Sequence, residues 1–278
     1  MYKSGDTLAF ARYNGNTYTT GFNEQYKDNA YVGFMYGTPN STTYSATHAN
    51  TNKSTILQNL ETWYKAKLTS YTDKLADTIW CNDKSTVKDV TVNIFESENG
   101  VLNKDSMVYN GLGYQKEKTV YGSTIRNMGI EQRGAENSTY GTGPSLICPK
   151  DNDGVKLSKF TVDDTVNGNG NLDYKIGLLT VDEIVLAGMA TGPVGINNNY
   201  DENSVTSYLR SNANYYYWTL SPYVFYFDVA LVWRSDGVGR LNADYVGYSG
   251  ALRPVVSLKA TTTISGGTGT ASSPFVIN

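Results

Sequence analysis

The chain has 278 residues and a mass of 30.5 kDa, enough for one large domain or two small ones. Lys and Arg total 23 against 26 Asp and Glu, a net charge of -3, so composition offers no basic face for nucleic acid or for an anionic membrane. No apolar run approaches the ~20 residues of a membrane helix, and no charged-then-apolar leader follows Met1, so any signal or anchor is expected outside this chain. With Gly at 27 and Tyr at 23 the composition reads as a loop-rich β or α+β protein working outside the cytoplasm.

In chain order, Thr7–Tyr13 and Tyr31–Gly37 alternate like strands, with Asn14-Gly15 as a turn after the first. The spacing of Ile56, Leu60, Trp63, Tyr64 and Leu68 predicts a helix capped by Ser54, with Glu61 four residues before Lys65. Residues 82–145 carry scattered strands, Val90–Phe95 among them, and no linker composition, so 1–278 is read as a single domain. A second helix is marked by Thr180 and Glu183 at capping-box spacing, with Val181, Ile184 and Val185 as its apolar stripe and Gly188 as its stop. The last third is aromatic and strand-like, and residues 266–278 form a closing strand after a Gly-rich turn. Cys81 and Cys148 are too few for a structural zinc site and are expected to form one disulfide, with two separate buried thiols as the alternative.

Catalytic chemistry has little to build on. His48 is the chain's single histidine, which excludes a histidine-based metal cluster and favours a local hydrogen-bonding role. No GxSxG, HExxH or P-loop pattern occurs. Acidic pairs exist at Asp163-Asp164, Asp182-Glu183 and Glu96 with Glu98; Asp182 and Glu183 are explained by the helix dipole, the others as solvated loop charges. No metal and no cofactor is expected.

WTLSP (Trp218 to Pro222), VWRSDG (Val232 to Gly237) and LRPVVSLK (Leu252 to Lys259) resemble the C-terminal region of the C-type lectin-like fold. The resemblance is narrower to the branch shared by formylglycine-generating-enzyme-like domains and the variable proteins of diversity-generating retroelements. The capped helix at Leu179 to Gly188 falls in the corresponding order. YGTPNSTTYSATHANTN and LADTIWCND look like bacterial surface and pilin-like proteins that end in this domain. The resemblance implies an α+β, C-type lectin-like fold with two main helices around a small antiparallel sheet, long loops, and C-terminal aromatic strands as the exposed face. Residues 1–150 would supply N-terminal strands, first helix and loops; 151–265 the lectin-like core, with a variable-type segment at 218–258.

The enzymes of that branch use paired C-terminal cysteines or a histidine cluster. Here Cys81 and Cys148 precede the matching region and His48 stands alone, so the resemblance implies a display scaffold and not an enzyme. Adenine-directed mutagenesis of Asn codons never yields Lys, Glu, Gln or Met, and none of these occurs from Tyr223 to Arg253; a tightly packed aromatic segment would account for that equally. With Trp218, Pro222, Ala230, Val232, Gly237, Arg253, Pro254 and Val256 as framework, the expected contact surface is Tyr223, Tyr226, Phe227, Asp228, Val229, Leu231, Trp233, Arg240, Asn242, Asp244, Tyr245 and Tyr248. Tyr and Trp with interspersed Asn, Asp and Arg are what paratopes use. Period-two alternation buries one set; a register with Ala230 and Val232 inward leaves Val229, Leu231 and Trp233 outward. The expected activity is non-enzymatic binding of a protein or glycan at a cell surface, pilus or phage tail. Alternatives are a filament subunit or an enzyme of the same superfamily. No nucleic acid and no direct membrane contact is expected.

Overall fold

The computed structural model describes residues 11–13, 16–98, 101–110, 119–131, 142–150, 156–189, 207, 209, 215–226, 228–235, 241–270 and 272–278. Thr7–Phe10, Asn14-Gly15, Phe227 and Arg240 lie outside them.

Eight strands form one mixed sheet: β1 (Thr19–Thr20), β2 (Thr86–Glu98), β3 (Val101–Asn110), β4 (Thr119–Tyr121), β5 (Tyr217–Tyr226), β6 (Val229–Ser235), β7 (Leu241–Tyr245) and β8 (Gly250–Ala251). Their order is β7-β6-β5-β4-β2-β3, with β8 beside β5 and β1, so the sheet stays open and is not a barrel. Strand β5 is central and buried along almost its whole length, which is why it reads as a near-continuous aromatic and aliphatic run. Pro222 interrupts it, and the β5–β6 register shifts on both sides of that proline, as expected of a residue with no N–H for the ladder.

The two faces of this sheet carry different cores. One face sends Trp218, Leu220, Phe225, Ala230 and Val232 into a cluster with Phe22, Phe34, Phe160 and helix α2 (Thr55–Lys67). Helix α2 follows helix α1 (Tyr44–His48) and is capped by Ser54, whose Oγ accepts from Leu57 N at 3.3 Å and donates to the Phe34 carbonyl at 2.7 Å. It buries Ile56, Leu57, Leu60 and Tyr64 at helical spacing, while Trp63 and Leu68 pack at the margin. The other face sends Tyr217 and Trp233 into a second cluster with Leu179, Val181 and Ile184. Those residues come from helix α4 (Val181–Leu186) and its lead-in, where Thr180 and Glu183 form a reciprocal capping box and Gly188 sits at φ +85°, a left-handed conformation that ends the helix.

Several sequence expectations change. Tyr31–Gly37 is not one strand: Asn29–Val32 is a 3-10 turn held by Asp28, and only Met35–Tyr36 pairs as a strand. Glu61 is buried against Lys53 at 2.6 Å, not paired along its helix, and Lys65 lies over the Tyr174 ring instead. Helix α3 (Gly122–Glu131) interrupts a region read as strands and turns. Its sequence has two glycines and little intrinsic helicity, so tertiary bonds supply what propensity does not: Ser123 Oγ donates to the Pro222 carbonyl and Thr124 Oγ1 to the Tyr223 carbonyl. Among the described residues, Val276–Ile277 pairs with Ile264–Gly266 and not with the main sheet, leaving Ile264, Phe275 and Val276 exposed. Cys81 and Cys148 form a disulfide, Cα to Cα 5.6 Å, across 67 residues.

The tetrapeptide Cys81-Asn82-Asp83-Lys84 is a polar knot inside this architecture. Asn82 Oδ1 accepts from Phe34 N at 2.9 Å, and its Nδ2 donates to the Leu220 carbonyl at 2.8 Å. Lys84, fully buried, donates to the carbonyls of Met35 and His48 and to Asn50 Oδ1 over the face of Phe160. Buried polar groups so satisfied fix how the loops dock on the sheet.

Candidate functional site

Of the twelve residues expected to contact a partner, eight lie on strands β5, β6 and β7, and the fold divides them. Trp233 does not face solvent: it is fully buried in the second core, with Tyr223 half-buried and edge-on to it at 4.8 Å. The reason is that α4 covers this face of the sheet, which alternation within one strand does not reveal. Tyr226 is also buried, beside Val120 and Val224, with Leu231 packed against them and Val229 half-buried. Phe227 and Arg240 lie outside the described residues. Asp228 is exposed, at φ +98° in the β5–β6 turn.

What remains outward gathers on the edge strand β7 and the turn after it. Tyr245 and Tyr248 are 39% and 52% exposed, with ring centroids 5.2 Å apart and planes tilted by 50°. Asn242 and Asp244 are half-buried beside them. Asp244 Oδ2 lies 3.1 Å from Arg234 Nε, and the Arg234 guanidinium sits 4.1 Å from the centre of the Tyr216 ring. Burial pushes the Asp244 carboxyl above its ordinary pKa, against the pull of Arg234. Tyr26 approaches from the N-terminal region: its carbonyl accepts from Ala230 N at 2.8 Å, and its ring edge borders Gly247. The patch therefore joins Tyr26, Tyr216, Arg234, Asp244, Tyr245 and Tyr248.

Tyr26, Tyr216 and Arg234 are absent from the expected contact set. Arg234 directly follows Trp233 of that set, whereas Tyr216 lies seven residues before its first member, Tyr223, and nothing in the sequence brings Tyr26 to this strand. The edge itself is blunted. Ala243 N donates to Asn242 Oδ1 at 2.7 Å and Tyr245 N to Asp244 Oδ1 at 3.0 Å, so these two main-chain donors are occupied by neighbouring side chains. Side chains, not the β7 ladder, are what this edge presents.

The acidic pairs fall differently. Glu183 caps its own helix, but Asp182 is buried and is held, with Asp83, by Arg126 of α3. Burial opposes the Arg126 charge, yet the two carboxylates hold its pKa above the ordinary arginine value. Burial raises Asp83 in turn, against Arg126 and Ser85. His48 is not a loop residue: it ends α1, fully buried, edge-on to Tyr44 and Tyr121 at 5.0 and 5.8 Å. Among the described residues, no group of three or more His, Cys, Asp or Glu is placed to hold a metal ion, and no helix is long and apolar enough to cross a membrane.

Compared with protein-family models, curated proteins and solved structures, the chain matches none.

Proposed function

We propose that this chain is a non-enzymatic recognition module of C-type lectin-like fold, working on the outside of a cell or virion and binding a protein or glycan through the β7 edge. The observation that carries the reading is the exposed Tyr245–Tyr248 pair beside the Arg234–Asp244 ion pair. Two rigid aromatic rings expose large amphipathic area at little rotamer cost, and an adjoining charge pair supplies directional hydrogen bonding. The disulfide fits an oxidising compartment.

The test is binding to arrays of cell-surface proteins and glycans, comparing the unaltered chain with Y245A/Y248A after both are shown to fold equally. Signal lost in the variant supports the reading; equal signal removes the β7 edge as the contact face. A search of the flanking genome for a reverse transcriptase and a near-copy of the 218–258 coding segment tests whether that segment is diversified.

The filament-subunit reading has one observation in its favour. The Ile264–Gly266 and Val276–Ile277 hairpin exposes Ile264, Phe275 and Val276, and an isolated two-stranded hairpin is marginally stable in water. A homo-oligomer that dissociates on replacing those three residues by Ser would favour it.

A further inference from the structure

Given that the chain is a recognition module, we infer that its ligand is a neutral glycan, and that one sugar unit sits in the polar cleft between residues 25–28, residues 39–40 and the β5–β6 turn. The cleft has a volume of about 310 Å³, at the small end of ligand pockets. Gln25, Lys27, Tyr31, Asn40 and Asp228 line it, with Pro39 and the Tyr31 ring as its apolar surface. Leu231 pairs with Tyr245, so the turn carrying Asp228 and the turn carrying Tyr248 emerge at the same end of the sheet. Tyr26, between Gln25 and Lys27 in the chain, joins the cleft to the β7 patch through its ring, which borders Gly247.

The rims are fixed before any ligand arrives. Asp28 is buried, and its Oδ1 accepts from Ala30 N and its Oδ2 from Asn40 N, both at 2.8 Å, so one carboxylate ties two rims together. The third rim is held where the Tyr26 carbonyl accepts from Ala230 N at 2.8 Å. Such pre-organisation lowers the ordering cost of binding. Asn40 at φ +63° and Asp228 at φ +98° are the non-glycine residues with positive φ among the described residues, and both lie on this cleft. Asn enters the left-handed region readily, but φ +98° is beyond it, and an Asp held there is strained. Glycine would sit at this position without steric cost, so the Asp228 carboxylate points to a contact made by the side chain.

The free polar groups define the ligand chemistry. The Asp228 carboxylate, which is exposed, and the Tyr31 hydroxyl make no hydrogen bond among the described residues. Burial, then Tyr36 and Asp28, raise the Tyr31 pKa, so the phenol stays protonated and donates. Lys27 also donates, Asp228 accepts, and the Gln25 amide does both. A sugar hydroxyl donates and accepts, so a ring bearing several of them satisfies all four groups, which neither a bare cation nor an aliphatic group does. Asp28 and Asp228 against Lys27 leave one negative charge in excess, which disfavours a sialylated, sulfated or phosphorylated ligand. The cleft lacks the aliphatic lining that would receive a large apolar anchor from a protein partner.

The experiment applies the unaltered full chain and three sets of variants to a printed array of neutral, sialylated and sulfated oligosaccharides, then titrates the best-bound free oligosaccharide in solution. The unaltered chain should bind neutral structures in preference to acidic ones. D228G should bind at least about tenfold more weakly, with a thermal midpoint no lower than that of the unaltered chain, because glycine relieves the backbone. D228N, which keeps the turn and one acceptor oxygen, should fall between them. Y31F, which keeps the ring and removes the O–H, should bind about fivefold more weakly. Absence of neutral-glycan binding, preference for acidic glycans, or a neutral glycan held by D228G and Y31F as tightly as by the unaltered chain overturns the proposal. Y245A/Y248A separates the two sites. Binding that survives it but not D228G keeps the cleft and removes the β7 edge; binding lost in it but unchanged in D228G and Y31F keeps the β7 edge and removes the cleft.

Discussion

Arg126 grips Asp182 with two parallel hydrogen bonds, Nε to Oδ1 at 2.8 Å and Nη2 to Oδ2 at 3.0 Å, while its Nη1 reaches Asp83 Oδ2 at 2.8 Å. One guanidinium thus ties α3 to the start of α4 and to the polar knot after Cys81, three segments far apart in the chain. Replacing it with Met leaves two carboxylates buried without their counter-charge. R126M is expected to lose about 3–5 kcal/mol of folding stability, read as a fall in the urea midpoint. R126K keeps a charge but not the fork, and should fall between the two.

Stability should decline in mild acid because of His48. Burial, and then the charge of Lys84, hold its pKa well below the ordinary 6.5. The unfolded chain accepts a proton at that ordinary value while the folded chain refuses it, so the unfolded state binds more protons as pH drops below 6.5. The histidine's contribution is therefore complete above 6.5 and is lost progressively toward the lowered value. In His48→Phe, which keeps the ring against Tyr44 and Tyr121, the slope of stability against pH in this window should flatten.

The Cys81–Cys148 disulfide closes a loop of 67 residues in sequence separation, for which the chain-entropy model gives about 4 kcal/mol. C81S/C148S should lose a substantial part of that in urea unfolding. Reductant should lower the midpoint of the unaltered chain and leave that of the variant unchanged.

Substitutions on β6 and β7 should separate sharply. W233A empties a fully buried site in the second core and is expected to cost about 3–5 kcal/mol. Y245A and Y248A touch exposed rings and should each stay within about 0.5 kcal/mol. Thermal unfolding of the three variants checks this, and it dictates that binding be tested with Tyr245 and Tyr248 rather than with Trp233 or Tyr226.

Local chemistry was legible in the residues themselves. Ser54, Thr180, Glu183 and Gly188 mark helix ends because their side chains, or the lack of one, act within three or four residues. The mixed α and β class and the strand at Val90–Phe95 within β2 follow from composition and alternation of the same short range, and with two cysteines in the chain Cys81 and Cys148 have one pairing open to them. What only the tertiary structure decided depends on partners distant in sequence. Trp233 and Tyr245 lie on neighbouring strands in similar aromatic surroundings, yet α4 buries the first, whereas the second stays 39% exposed beside Tyr248. Helix α3 forms despite weak propensity because β5 carbonyls accept from its first turn. Asp182, which has the sequence position of an ordinary first-turn acid, becomes a buried anchor because Arg126, 56 residues earlier, is folded against it. Periodicity reports which side of an element is apolar; it does not report what the other side meets.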